Sequence, residues 1–372
     1  MYKPERIARL AASGSGETKC VVFVDSLSSA RESLAPHVVT VVAAYPFIKA
    51  FGVEVCVHKI DDLSALKCVK AIAPHTTVTT CMLKAKEALQ IAPAYEHFGY
   101  GENISVVVID TGVRPHLDFT VPTNRIYFHD FISQKALPYD DNGHGTAVSS
   151  ILCGNGLTSG GRFSGIAPRA RLISLKAIGK EGEGGAFAIL EAMQWIYDNA
   201  AEYNIRVVCM SFGSVPVSKG IDPLSAGAEA LWKKGIVVVA SAGNDGPHEK
   251  TIRSPGCNPS VITVGGAEFK NGYARAADFS SRGPCGAFIK PDIIAPAVGI
   301  TACGLNDSYE IFSGTSMAAP MVAGAAALIL SRHPFFSPDR IKELLLSSAE
   351  PLPFSPEIVG RGLLSFSLND IL

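Results

Sequence analysis

ISVVVID (104–110) is apolar and β-branched until it stops on one carboxylate, Asp110, which Thr111 and Gly112 follow directly. A run of that length with no polar alternation is the pattern of a strand covered on both faces, as in a parallel sheet. Reading outward, the same pattern recurs in RLISLKAI (171–178), IRVVCMSF (205–212), GIVVVASAG (235–243) and SVITVGG (260–266). Between these runs, AFAILEAMQWIYDNAAEY (186–203) and SAGAEALWKK (225–234) carry apolar residues at helical spacing. Strand, helix and strand repeated in this way predict an α/β three-layer fold, a mostly parallel central sheet with helices on both faces. In such sheets a site forms beyond the carboxyl ends of the strands.

The chain before Asp110 reads differently. TKCVVFVDS (18–26), HVVTVVAAY (37–45) and FGVEVCVHKI (51–60) predict strands, SLSSARESL (26–34) and DDLSALKCVKAI (61–72) predict helices, and HTTVTTC (75–81) ends the region as a strand. The 372 residues therefore divide into an N-terminal tail (1–16), a small α+β unit (17–81) and a large domain (82–372), with Met82 to Gln90 a linker or first turn.

Composition narrows the function. Hydrophobic residues are 47% and charged ones 18%, and 33 Lys+Arg nearly balance 34 Asp+Glu, which describes a globular chain with no surface that seeks nucleic acid. AAPMVAGAAALIL (318–330) is too short to cross a bilayer and reads as a core helix, so no membrane partner is expected. MYKPERIARLAASGSGETKC (1–20) has no apolar stretch of the secretory kind, and a cytoplasmic location is expected. The nine cysteines are odd in number and scattered, without metal-ligand spacing, and are expected to be free thiols in a reducing compartment. Cys257 is read as a passive small residue rather than a reactive one. The glycine clusters GNGLTSGG (154–161) and EGEGGAF (181–187) lack the context of a phosphate loop, and the second is expected to border a groove.

Three residues carry chemistry. Asp110 ends a strand, His144 in DDNGHGTAV sits where a turn opens a helix, and Ser316 in FSGTSMAAP (312–320) opens another. A serine hydroxyl becomes a nucleophile when an imidazole takes its proton, and a carboxylate on the other ring nitrogen fixes the tautomer. Ser316 at a helix start also offers its own N–H to a developing oxyanion, and the side chain of Asn244 in ASAGNDG can supply the second donor. Singly, each residue is most simply a cap or a turn former. The four motifs together outweigh those readings.

VIDTGV, NGHGTAV, SAGNDG and GTSMAAP, in the order Asp, His, Asn, Ser, resemble the subtilisin family of serine proteases over roughly residues 85–370. The resemblance implies a subtilisin-like fold, a serine endopeptidase forming an acyl-enzyme on Ser316, the triad Asp110, His144 and Ser316, and Asn244 as oxyanion donor. It also implies that the first unit, ferredoxin-like in its element order, is a propeptide: an intramolecular chaperone and inhibitor of a self-processing zymogen, cut near Val78 to Met82. Its last strand would lie in the cleft until then. Peptides or proteins would be the other partners. The specificity pocket would be walled by Ser211, Phe212 and Gly213 and by Ser241, Ala242 and Gly243, with Arg253 at its base, where a guanidinium would favour an acidic P1 residue or shorten the pocket.

The intact PYDDNGHGT pattern and the cysteines resemble the intracellular branch. Ala147 stands where the family commonly has a second histidine. No cofactor is required. A structural calcium is conceivable through Asp118 and Asn155, but the loop 154–165 carries no carboxylate. The alternatives to an active protease are a binding or regulatory protein whose first unit never leaves, and an esterase using the same acyl chemistry.

Overall fold

The computed structural model describes residues 16–75, 77–80, 92–123, 125–217, 220–270 and 273–365. Residues 1–15 of the expected tail and the linker Met82 to Gln90 lie outside the described residues.

The first unit runs β1 (Glu17–Val24), α1 (Leu27–Leu34), β2 (Thr40–Tyr45), β3 (Ala50–Cys56), α2 (Ile60–Ser64) and β4 (Val69–Pro74), with antiparallel strands in the order β2-β3-β1-β4. This is the split βαββαβ, ferredoxin-like arrangement. Its own small core gathers Val22, Val24, Ala30, Leu34, Phe51, Val53, Ile60 and Leu63 between sheet and helices. One expectation fails here. The helix expected over 61–72 stops at Ser64, and Val69–Pro74 is a strand paired with β1. Long-range pairing of Val69 and Ile72 with a buried strand outweighs the local helical spacing.

Beyond Pro74, the strand β5 (Thr77–Thr80) leaves this sheet for the large domain. There the order is α3 (Ala92–Phe98), β6 (Ser105–Asp110), α4 (Leu117–Thr120), β7 (Ile126–Asp130), α5 (His144–Cys153), β8 (Arg171–Lys176), β9 (Glu183–Gly185), α6 (Ala186–Asn199), β10 (Ile205–Met210), β11 (Phe212–Gly213), α7 (Pro223–Lys233) and β12 (Val237–Ser241). β13 (Ile262–Lys270), β14 (Tyr273–Ala276), β15 (Ile293–Pro296), β16 (Val298–Cys303), β17 (Tyr309–Ser313), α8 (Thr315–Arg332) and α9 (Pro338–Ser347) follow. The central sheet has the order β14-β13-β12-β10-β6-β8-β7, with β15 joined to β13, and only the β13–β14 pair is antiparallel. Every residue of β6 and β12 is buried, as their unbroken apolar runs require. α8 is long and apolar enough to span a bilayer, yet 89% of it is buried inside the fold, where it packs on β10, β12 and β13. α7 starts on a cap: Asp222 accepts the Ser225 N–H and Pro223 occupies the first turn.

The cysteines correct a second expectation. Cys257 and Cys285 form a disulfide, with Cα atoms 5.5 Å apart. The loop 250–251 lies against 282–283 through backbone bonds, which brings two positions 28 residues apart in sequence together. No sequence spacing reveals such a pairing. Cys20, Cys56, Cys68, Cys153, Cys209 and Cys303 stand outside any disulfide.

Candidate active site

The carboxyl edges of β6, β10 and β12 are neighbours, and the predicted residues meet there. Met210 pairs with Ile109, so Ser211 follows β10 beside Asp110 at the end of β6. Asp110 is buried, and its Oδ1 accepts the Thr111 N–H at 2.7 Å. The same oxygen lies 2.7 Å from His144 Nδ1, both groups being shielded from water. A neutral imidazole donating from Nδ1 carries its lone pair on Nε2, the nitrogen a general base uses. The Asp110 charge is felt in Cys209, whose thiol is pushed up to about 12, chiefly by burial and further by that carboxylate, against the lowering effect of the Ser211 hydroxyl.

His144 opens α5, and its placement rests on Asp140, a residue the sequence reading did not single out. Asp140 Oδ1 accepts the N–H groups of Asn142 and Gly143, and Oδ2 accepts the Thr146 N–H and O–H at 2.9 and 2.7 Å. These are the orphan donors of a helix start, closed by a carboxylate two positions upstream of Asn142. Gly145 N–H donates to Thr111 Oγ1, and a Cβ on Gly145 would overlap the Gly112 carbonyl, so the helix can approach β6 this closely only with glycine there. Lys176, buried at the end of β8, donates to Thr111 O, Ile178 O and Asp141 Oδ1 and so pins the turn after Asp110. The clue in DDNGHGT was an acidic residue ahead of a helix start.

Ser316 lies in the first turn of α8. Its hydroxyl donates to the Ser211 carbonyl at 2.9 Å, and the Ser211 hydroxyl donates back to the Ser316 carbonyl at 2.9 Å. That carbonyl is open because Pro320, four residues on, has no N–H to bond it. Asn244 follows β12. Its Oδ1 accepts both the N–H and the O–H of Thr315 at 3.0 Å, while Thr315 Oγ1 also accepts the Gly243 N–H. With Oδ1 so held, Nδ2 faces the other way as a donor.

The pocket segments are stitched into one frame. Ser241 Oγ donates to Phe212 O, the Arg253 N–H donates to Ala242 O at 2.8 Å, and Ser214 and Ser254 exchange backbone bonds. The Arg253 guanidinium does not stand open toward a ligand: it grips Asp245 with two bonds of 2.5 and 2.8 Å. The expectation of a free guanidinium at the pocket base is corrected on that point, because Asp245 follows Asn244 directly and supplies the planar partner an arginine prefers.

Asp118 does not sit in an oxygen cage. His116, Asp118 and Cys303 are buried with ligand-type atoms within 4.8 Å of one another. The carboxylate, however, accepts the Thr158 N–H and O–H and the Tyr309 O–H, His116 Nδ1 accepts the Asp118 N–H, and the Asn155 side-chain oxygen accepts the Leu157 N–H. Calcium takes 6 to 8 oxygens. The donors here are already spent on protein hydrogens with a thiol beside them, and do not fit that ion.

A carboxylate-held imidazole, a serine at a helix start and an anchored amide on one sheet edge agree with what the comparisons return. The sequence profile of the subtilase family matches residues 101–362. The chain belongs to the subtilase family. This subtilase is 39% identical to serine protease AprX of Bacillus subtilis (strain 168) over 289 residues, 70% of this chain and 65% of that protein, just under two thirds of its length. It is 28% identical over 355 residues to the thermostable alkaline protease of Halalkalibacterium halodurans, covering 95% of this chain and 92% of the other. Fervidolysin from Fervidobacterium pennivorans, described as a keratinolytic enzyme related to subtilisin, superposes with a TM-score of 0.76 at 21% identity, over 94% of this chain and 60% of its own, and shares the fold.

Proposed function

We propose that this subtilase is a serine endopeptidase made as a self-processing zymogen, with residues 17–81 acting as intramolecular inhibitor. The observation that carries the reading is the position of β5. Thr77–Thr80 runs antiparallel between β9 and β11, with Thr79 opposite both Glu183 and Gly213 and Thr80 opposite Phe212. A peptide held as the middle strand of three, its backbone bonded on both sides, is how an extended substrate binds a groove. Phe212, opposite Thr80, directly follows Ser211, whose carbonyl holds the Ser316 hydroxyl. The expected cut near Val78 to Met82 therefore narrows to just past Thr80, where Cys81 and Met82 lie outside the described residues. The first unit also docks on α6: Tyr45 O–H donates to Phe187 O, and the Phe47 N–H to Gln194 Oε1.

In the reaction, Ser316 Oγ attacks the scissile carbonyl carbon while His144 Nε2 takes its proton, and Asp110 steadies the imidazolium. The carbonyl oxygen becomes the oxyanion between Asn244 Nδ2 and the Ser316 N–H. Collapse breaks the C–N bond as His144 returns the proton to the leaving amine. Water then repeats the sequence on the acyl-enzyme, with His144 again the base. Two of the relatives described above are named as proteases, which supports peptide cleavage over a silent binding role.

The test is hydrolysis of an internally quenched peptide library by the purified protein and by its Ser316→Ala variant. Cleavage within peptides by the first alone supports the reading. Ester hydrolysis without peptide cleavage would replace it with the esterase reading, and neither activity, with 17–81 still attached, with the regulatory one.

A further inference from the structure

The slot beside the nucleophile is already occupied by a side chain of this protein. Its walls are the 211–213 segment, under Ser316, and the 241–243 segment leading to Asn244. Gly213 and Gly243 lack side chains on the facing surfaces, which leaves room between them. The stem of Arg253 fills that room: a Cβ added to Gly213 would overlap Arg253 Cβ, and one added to Gly243 would fall 2.6 Å from Arg253 Cγ. The Arg253 backbone is fixed by its bond to Ala242 O, and Ser254 by its pair of bonds to Ser214. Cβ cannot move without moving that floor, and Cγ keeps its place as long as the guanidinium stays on Asp245. The guanidinium beyond them is held at the rim by Asp245, and the arginine side chain is 27% exposed.

We propose that Arg253 and Asp245 together make the P1 pocket short and electrically neutral, so that this chain cleaves after small uncharged residues such as Ala, Ser or Cys. This inference rests on the peptidase reading and adds its substrate class. The filled space excludes the rings and branched chains that a pocket between two glycines would otherwise admit. A P1 carboxylate gains no free cation, because it would have to displace Asp245 from a two-bond grip.

The experiment measures kcat/KM on matched peptides with P1 Ala, Ser, Leu, Phe and Glu, alongside labelling by a fluorophosphonate probe that reports a reactive serine whatever the pocket size. The wild type is expected to favour Ala and Ser over Phe and Leu by at least about tenfold, the scale on which pocket volume discriminates. Arg253→Gly should empty the slot and reverse that order. Asp245→Asn, at a half-exposed position, should release the guanidinium and raise Glu relative to Ala by about threefold, the scale of a rim ion pair. Probe labelling with Phe, Leu or Glu as the best wild-type substrate would overturn this inference alone. No labelling and no cleavage of any peptide would overturn the peptidase reading and this one with it.

Discussion

Ser211 and Ser316 hold each other by two hydrogen bonds, hydroxyl to carbonyl in both directions. The second bond exists because Pro320 cannot bond the Ser316 carbonyl, so a helix-breaking residue inside α8 ties the Ser316 backbone to the end of β10. The arrangement explains why the motif FSGTSMAAP places a proline in the second turn of a core helix.

Pro320→Ala restores an N–H that competes for the Ser316 carbonyl and loosens Ser211. Turnover should fall by about fivefold with KM little changed, as expected for one hydrogen bond of about 1 kcal/mol acting on position rather than binding. Steady-state kinetics on one peptide reads this directly. A change confined to KM would contradict it.

Thr315 orients Asn244, the proposed oxyanion donor. Thr315→Val removes one of the two bonds to Asn244 Oδ1 and should lower kcat by about tenfold, whereas Asn244→Ala removes the donor and should cost about 10²–10³, the range for losing one oxyanion donor as established in subtilisin. The order of the two variants is the prediction. Equal losses would mean that Thr315 acts as more than an anchor.

How much of this was legible in the sequence depends on range. Asp110, His144, Ser316 and Asn244 each sit at a strand end or helix start within two residues of a glycine, a local signature that sequence carries well. Asp140 and Thr315 lay within the same motifs but act through bonds to neighbouring backbone, visible only once the turn is built. Arg253 was placed at the pocket base, yet its partner Asp245 depends on a fold-back of the intervening loop, and the Cys257–Cys285 pair depends on two loops meeting. The strand at Val69–Pro74 was hidden because its partner β1 lies over forty residues earlier.

Asp140 should matter for stability as well as for His144. In the inactive Ser316→Ala background, which avoids self-digestion, Asp140→Ala strands buried donors at the start of α5 and should lower unfolding free energy by on the order of 2 kcal/mol. Urea titration followed by tryptophan fluorescence measures it. A loss below about 0.5 kcal/mol would show that water replaces the cap.

Reduction of Cys257–Cys285 should destabilise the same inactive protein by about 3–4 kcal/mol, from the chain entropy of the loop it closes. Alkylation of the unfolded, unreduced protein followed by peptide mapping should leave both residues unlabelled. Labelling of either would contradict the bond.

Lys290 gives a pH signature. Burial lowers its pKa to about 8, against the raising effect of Asp292, which it meets at 2.6 Å. The unfolded chain keeps a lysine near its ordinary 10.4, so between about pH 8 and 10.4 it binds the more protons, and stability rises with pH there. Denaturation of the inactive protein at pH 7.5, 8.5 and 9.5, beside its Lys290→Met counterpart, should show that gain in the first alone. A parallel course for both would remove Lys290 as the cause.

The most direct test of the central claim is intact mass with N-terminal sequencing of the purified protein beside Ser316→Ala. The account predicts a wild type shortened to a start just past Thr80, at Cys81 or Met82 or one residue beyond, and a variant left at full length. A wild type that stays whole while peptides are cleaved, or a variant shortened at the same place, would contradict self-processing through Ser316.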